Sequence, residues 1–171
     1  KAGFNFLFEY GGVATPGSAA SAAIDPSSVI DLTGKMNADG NLNWTVPKGK
    51  WTIMRFGYAL TGAKNRPAVP AALGYEVDKL NPEHVTSYMK EYTTPLQKSL
   101  GALYGKRLQY FLLDSWEAGI QNWTDIMPAE FKKRRGYDLL RYLPALAGRV
   151  VGNNEISDRF LWDFRRTLTD M

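Results

Sequence analysis

A change of hydrophobic period divides this 171-residue chain in two. Up to residue 62 the apolar positions alternate: Leu42, Trp44 and Val46 are separated by single polar residues, and Trp51 to Tyr58 resumes an extended, β-branched and aromatic run. Alternation sends side chains to the two faces of a strand, and the turn-forming residues Pro47 to Lys50 between the runs predict a hairpin. "NADG" at 37–40 predicts the turn that leads into it, and "VATPGSAASAAIDPSS" at 13–28 reads as a loop of small residues. "AKNRPAVPAA" at 63–72 carries two prolines and no period, and beyond it the pattern turns helical.

Asn81-Pro82 joins a capping side chain to a proline at the first helical position. Val85, Tyr88, Met89, Tyr92, Leu96 and Leu100 then trace one face until Gly101, with Pro95 expected to kink or split the helix. "RLQYFLL" at 107–113 is short and apolar throughout, which predicts a strand buried on both faces, as in a parallel sheet. Pro128 opens a helix that Gly136 closes, and "DLLRYLPALAG" adds a further helical piece. Asn153 or Asn154 caps a last helix in which Ile156, Phe160, Leu161, Phe164 and Leu168 share a face.

The expected class is therefore α/β. A β-rich, sandwich-like N-terminal accessory segment over 1–62 and a linker over 63–72 lead into the early portion of a (β/α)8 TIM-type barrel over 73–171. A complete barrel takes about 250 residues, so the chain has room for two or three of its units. "RRTLTDM" breaks off inside a helical pattern without a stop signal, and a piece of something longer is expected.

At 44% hydrophobic and 13% aromatic, the chain has material for one good core or two modest ones. The absence of cysteine excludes disulfides, thiolate metal sites and cysteine nucleophiles. No apolar run approaches a membrane span, and "KAGFNFLFEY" lacks the order of a signal peptide. The net charge of +4 comes from scattered basic residues, and "KKRR" at 132–135 reads as a solvated helix face rather than a phosphate patch. Neither a nucleic acid nor a membrane is an expected partner.

Chemistry concentrates in "FLLDSWEAGIQNWT" at 111–124. If 107–113 is a parallel strand, Asp114, Ser115, Trp116 and Glu117 sit at its C-terminal end, where barrel enzymes assemble their sites. A carboxylate beside an apolar strand end and an indole is partly desolvated and can hold a proton near neutral pH, so Glu117 is the candidate general acid. Asp114 could tune that proton, orient Glu117 or bind a substrate hydroxyl. Trp116 and Trp123 offer flat apolar faces for a sugar ring, and Gln121 and Asn122 offer paired donors and acceptors for its hydroxyls. Glu76 and Asp78 in "GYEVDKL" could join the site, although an exposed alternating strand explains them equally well. The bland alternative for the whole stretch is a loop start, core tryptophans and a glutamate in a first helical turn. His84 is the only histidine and falls in a first helical turn; it supports neither a zinc site nor a serine triad, and no G-x-S-x-G elbow or phosphate-cradling glycine loop is present.

The stretches "VIDLTGKMNADGNLNWTVPKGKWTIMRFGY", "GYEVDKLNPEHV", "LLDSWEAGIQNWT", "EFKKRRGYDLLRYLPALAGRVV" and "EISDRFLWDFRRTL" resemble, in that order, the middle of the large α-L-rhamnosidases of glycoside hydrolase family 106. The resemblance covers roughly residues 29–171. It implies an exo-acting bacterial enzyme, exported to the periplasm or beyond the cell, that removes terminal α-L-rhamnose from plant polysaccharides or glycosides. Inversion of configuration and a calcium ion at the active site come with the resemblance, as does the barrel surrounded by β-sandwiches. By similarity Glu117 of "DSWE" is the general acid. An inverting site also needs a base about 6.5–9.5 Å away, and the resemblance places that base beyond Met171. Calcium would require six to eight oxygen ligands, for which Asp114, Glu76 and Asp78 are candidates. The partners implied are a rhamnose-containing oligo- or polysaccharide and the remainder of the same polypeptide. The alternative, from another class, is a non-catalytic carbohydrate-binding or scaffold module.

Overall fold

The computed structural model describes residues 23–113 and 119–171. Its regular elements are helices: α1 at Pro82–Leu100, α2 at Met127–Arg135, α3 at Leu143–Leu146 and α4 at Asn154–Asp170. Single 3-10 turns lie at Pro26–Ser28, Thr33–Lys35, Pro70–Ala72, Gly101–Leu103 and Leu140–Tyr142. The described chain divides into two compact units, Tyr58–Ile126 on one side, and the residues up to Gly57 together with Met127–Met171 on the other.

Among the described residues no strand, sheet or barrel forms, which overturns the expected α/β class with its β-rich N-terminal segment and (β/α)8 barrel portion; residues 1–22 and 114–118 of those stretches lie outside the described residues. Extended pairing is limited to isolated bridges at Ile24–Val151, Met36–Leu42, Lys64–Tyr75 and Tyr104–Leu108. The turn at 37–40 does form, closed by Gly40 N–H to Asn37 O at 3.0 Å and by Asn41 N–H to the Asn37 side chain at 2.8 Å. Gly40 takes φ +83°, a left-handed value that glycine adopts without steric cost. Beyond it Trp44 and Trp51 meet edge to face at 5.4 Å, and the Trp51 indole donates to Pro47 O at 2.9 Å. The arms thus turn without pairing. Alternation fixes which side chains share a face, but a two-stranded ribbon with no third strand or covering helix is marginal.

Residues 107–113 differ most from expectation. The stretch is coil, joined to its surroundings by the Tyr104–Leu108 bridge and a Gly105 N–H bond to Leu108 O at 3.0 Å. Tyr110, Leu112 and Leu113 are 84%, 93% and 83% exposed rather than buried on both faces. The argument that Glu117 emerges from the mouth of a buried strand falls with it.

The helices follow their local signals. The Asn81 side chain accepts from Glu83 N–H at 3.0 Å with Pro82 at the first helical position, and Gly101 ends α1 at φ +50° by donating to Gln97 O. α1 runs unsplit through Pro95, while the hydroxyls of Thr93 and Thr94 donate to the carbonyls of Met89 and Lys90 at 2.8 and 2.7 Å. Gly136 closes α2 by donating to Lys132 O at 2.9 Å. The Asn153 side chain accepts from Ile156 N–H at 2.8 Å and starts α4.

The core built by α2, α3 and α4 is aromatic. Phe131 lies perpendicular to Tyr137 at 5.0 Å and tilted against Phe160 at 5.7 Å, and Tyr142 stacks on Phe160 at 5.5 Å. Met127, Phe131, Leu139, Val151, Phe160 and Phe164 are essentially sealed from water, each contributing about 1.5–3 kcal/mol by burial. Arg135 at the end of α2 bonds Thr167 Oγ1 at 2.9 Å and pairs with Asp170, which fastens α2 to the last turns of α4.

Candidate functional site

The candidate residues that can be placed lie in the Tyr58–Ile126 unit. Glu117, Asp114 and Trp116, with Ser115, fall outside the described residues. From residue 119 onward the chain is held by side chains rather than by a sheet. Gln121 donates through Nε2 to Val77 O at 3.0 Å and accepts at Oε1 from Lys79 N–H at 3.0 Å, so one amide clips the 119–126 segment to the stretch before α1. The Gln121 amide keeps a second proton on Nε2 and a second lone pair on Oε1. Beside the clip Leu80, Asn81, Asn122 and Thr124 are buried, and the Thr124 hydroxyl has no hydrogen-bond partner among the described residues.

Glu76 and Asp78 are committed within the unit. Lys79 Nζ sits 2.7 Å from Glu76 Oε2. Asp78 accepts from Leu80 N–H at 3.0 Å, and its other oxygen lies 3.6 Å from Nδ1 of His84. His84 is half exposed on the first turn of α1. Among the described residues no three carboxylates or histidines converge on a point where a metal ion could sit. A cation-paired glutamate and an aspartate already serving a backbone amide do not make the oxygen-rich cage that calcium requires.

Trp123 is half-buried, and its ring lies 6.1 Å from that of Tyr58, inclined by 33°. Tyr58 is 60% exposed and donates through its phenol to Asp125 Oδ1 at 2.5 Å. That hydrogen bond, reinforced by the carboxylate charge, holds the phenol above its ordinary pKa. Sequence reasoning singled out Trp123 but passed over Tyr58 and Asp125. Tyr58 ends an aromatic run and Asp125 stands 67 residues later, and no local pattern joins them.

The described carboxylates that depart from ordinary values all move downward: Asp25 through the Ser27 hydroxyl, Asp31 through the Thr33 hydroxyl, Glu130 through Lys133 and Asp170 through Arg135. None of these four holds a proton near neutral pH, as a general acid must. The "KKRR" cluster is largely consumed by the fold. Glu130 accepts from Lys133 at 3.2 Å and from Arg134 at 2.9 Å, and Arg135 is taken by Thr167 and Asp170. What the described part of the site offers is therefore recognition: aromatic faces, an amide clip and a carboxylate with one oxygen engaged.

Known proteins supply the chemical context. The family model described as alpha-L-rhamnosidase, glycoside hydrolase family 106, matches residues 1–171. A protein of Formosa agariphila named "Putative beta-glucuronidase" is 46% identical over 150 residues, which is 88% of this chain and 13% of that protein. The solved structure of a rhamnosidase from Novosphingobium sp. PP1Y superposes with a TM-score of 0.75 at 46% identity, covering 85% of this chain and 14% of that one. The chain thus spans about one seventh of the length of the relatives it matches. A family match along the whole chain, with close agreement in sequence and backbone, establishes that this chain belongs to glycoside hydrolase family 106.

Proposed function

We propose that the chain is a segment of an exo-acting α-L-rhamnosidase that hydrolyses terminal α-L-rhamnosyl linkages of plant polysaccharides or glycosides with inversion. The observation that carries this reading is the whole-chain match to the rhamnosidase family, supported by a rhamnosidase structure at 46% identity. In this reading Glu117 protonates the departing glycosidic oxygen, while a base elsewhere in the same polypeptide activates water on the opposite face of the sugar. Trp116, Trp123 and Asn122 bind the sugar, and Asp114 binds one of its hydroxyls. Gln121 contributes mainly by holding the connection in place. A periplasmic or extracellular setting in a bacterium belongs to the same proposal. A calcium ion at the active site belongs to the same proposal, with ligands drawn from outside the described residues, because Glu76 and Asp78 are engaged by Lys79 and by the Leu80 amide.

Leaving-group dependence tests the acid. Glu117→Gln in the full polypeptide should slow hydrolysis of alkyl rhamnosides about 10²–10⁴-fold, the usual contribution of proton transfer. Aryl rhamnosides with acidic phenols need little protonation and should lose far less. Equal losses on both would remove Glu117 from that role. An aryl β-D-glucuronide belongs in the same assay, because one relative carries the glucuronidase name. Turnover of that substrate and not of rhamnosides would overturn the proposed specificity.

A further inference from the structure

Tyr58, Trp123 and Asp125 meet within the Tyr58–Ile126 unit. A hydrogen bond between an exposed phenol and an exposed carboxylate adds little to stability, since both groups bond water equally well when apart. What the bond does is hold both groups in one orientation. With Oδ1 of Asp125 taken by Tyr58 at 2.5 Å, Oδ2 has no partner among the described residues. The two rings, 6.1 Å apart and inclined by 33°, present an apolar surface beside that oxygen. Trp123 and Asp125 follow Glu117 by six and eight residues, so one short connection carries them and the proposed acid.

A pyranose complements such a surface. Its C–H groups gather on one face and pack against aromatic rings, while the hydroxyls around its edge donate to carboxylate oxygen. A 6-deoxyhexose adds a methyl group where an ordinary hexose carries a hydroxymethyl group. We infer that Tyr58, Trp123 and Asp125 form a pre-arranged platform for the 6-deoxyhexose ring. The methyl and ring C–H groups lie against the two aromatic rings, and a ring hydroxyl donates to Asp125 Oδ2. Tyr58 positions Asp125, and Trp123 distinguishes the deoxy sugar from its 6-hydroxylated counterpart. This inference rests on the proposed function and extends it from the bond that is cleaved to the sugar that is admitted.

The test uses the full polypeptide carrying this segment, with an aryl α-L-rhamnoside and the matching aryl α-L-mannoside, which differs by the C6 hydroxyl. Trp123→Ala should raise KM for the rhamnoside and narrow the rhamnoside-to-mannoside ratio of kcat/KM, each by roughly tenfold, the scale of a methyl-sized contact in an apolar site. Asp125→Asn should raise KM for both substrates alike with kcat nearly unchanged, the pattern of binding lost equally from ground and transition states. Tyr58→Phe keeps the ring and frees the carboxylate, so its KM rises less than that of Asp125→Asn. Trp123→Phe guards against misfolding and should restore most of the lost affinity. Wild-type KM in every variant, with thermal stability lowered, would make the three residues a packing surface and overturn the inference alone. A wild-type polypeptide that turns over no rhamnoside would overturn the proposed function and this inference with it.

Discussion

At the scale of single residues, buried polar groups in this chain fasten irregular backbone where no ladder exists. Ser157 is sealed from water and bonds three ways: it accepts from Val151 N–H at 2.8 Å and lies 2.9 Å from Val151 O and 2.8 Å from Asn153 O. Asp163 accepts from Tyr137 at 3.1 Å and from Arg159 at 3.2 Å, and burial, followed by that carboxylate charge, holds the Tyr137 phenol far above its ordinary pKa. Ser157→Ala leaves the Val151 amide buried and without its side-chain acceptor, a loss of about 1–3 kcal/mol. Hydrogen exchange followed by mass spectrometry on the full polypeptide should show protection falling over 150–157 and unchanged around α1. Uniform loss throughout would mean that Ser157 supports the whole fold rather than this turn. None of these partnerships was legible in advance. A serine in a helical pattern looks the same whether it faces water or a neighbouring loop, and the Gln121 clip spans more than forty residues.

At the scale of elements, the helices were legible because their determinants are local. Asn81 with Pro82, Asn153, and the glycines at 101 and 136 each act within one turn of where they stand. The expected strands did not form among the described residues, because alternation and apolar runs describe a surface, and a sheet needs a neighbour supplied from elsewhere. Packing between helices has its own electrostatic fastening. The hydrogen bond from Arg135 lowers the pKa of Asp170, with the charges of Arg166 and Arg135 adding to it. A carboxylate depressed on folding stabilises the folded state above its unfolded value and loses that contribution as pH falls through the folded one. Asp170→Asn should therefore loosen α2 against the end of α4 at pH 7, and the difference from wild type should shrink as pH drops below the ordinary value of 3.8. Amide protection of α2, compared between the two proteins at pH 7 and pH 3, measures this. An undiminished difference at pH 3 would show that shape, not charge, joins the helices.

At the scale of the molecule, the family was legible while the architecture was not, and one physical circumstance accounts for both. Order and spacing of motifs survive in any segment of an enzyme, whereas a core exists only where its covering elements are present. α1 shows the consequence: its apolar face carries Tyr88 and Tyr92, stacked at 6.4 Å, yet none of its residues is buried. Leu60, Leu112 and Leu113 are each more than four-fifths exposed, as is Tyr110. Exposed apolar area on this scale marks a surface that another part of a protein covers, and relatives about seven times longer contain ample chain to do so. The 171 residues prepared alone should therefore bind a hydrophobic dye such as ANS and self-associate at micromolar concentration. The longer polypeptide should do neither. Leu112→Ser with Leu113→Ser, made in the isolated chain, should reduce both effects without disturbing the aromatic core around Phe131 and Phe160, which near-ultraviolet circular dichroism would report. An isolated chain that stays monomeric and dye-silent would show that these side chains find cover within the segment itself.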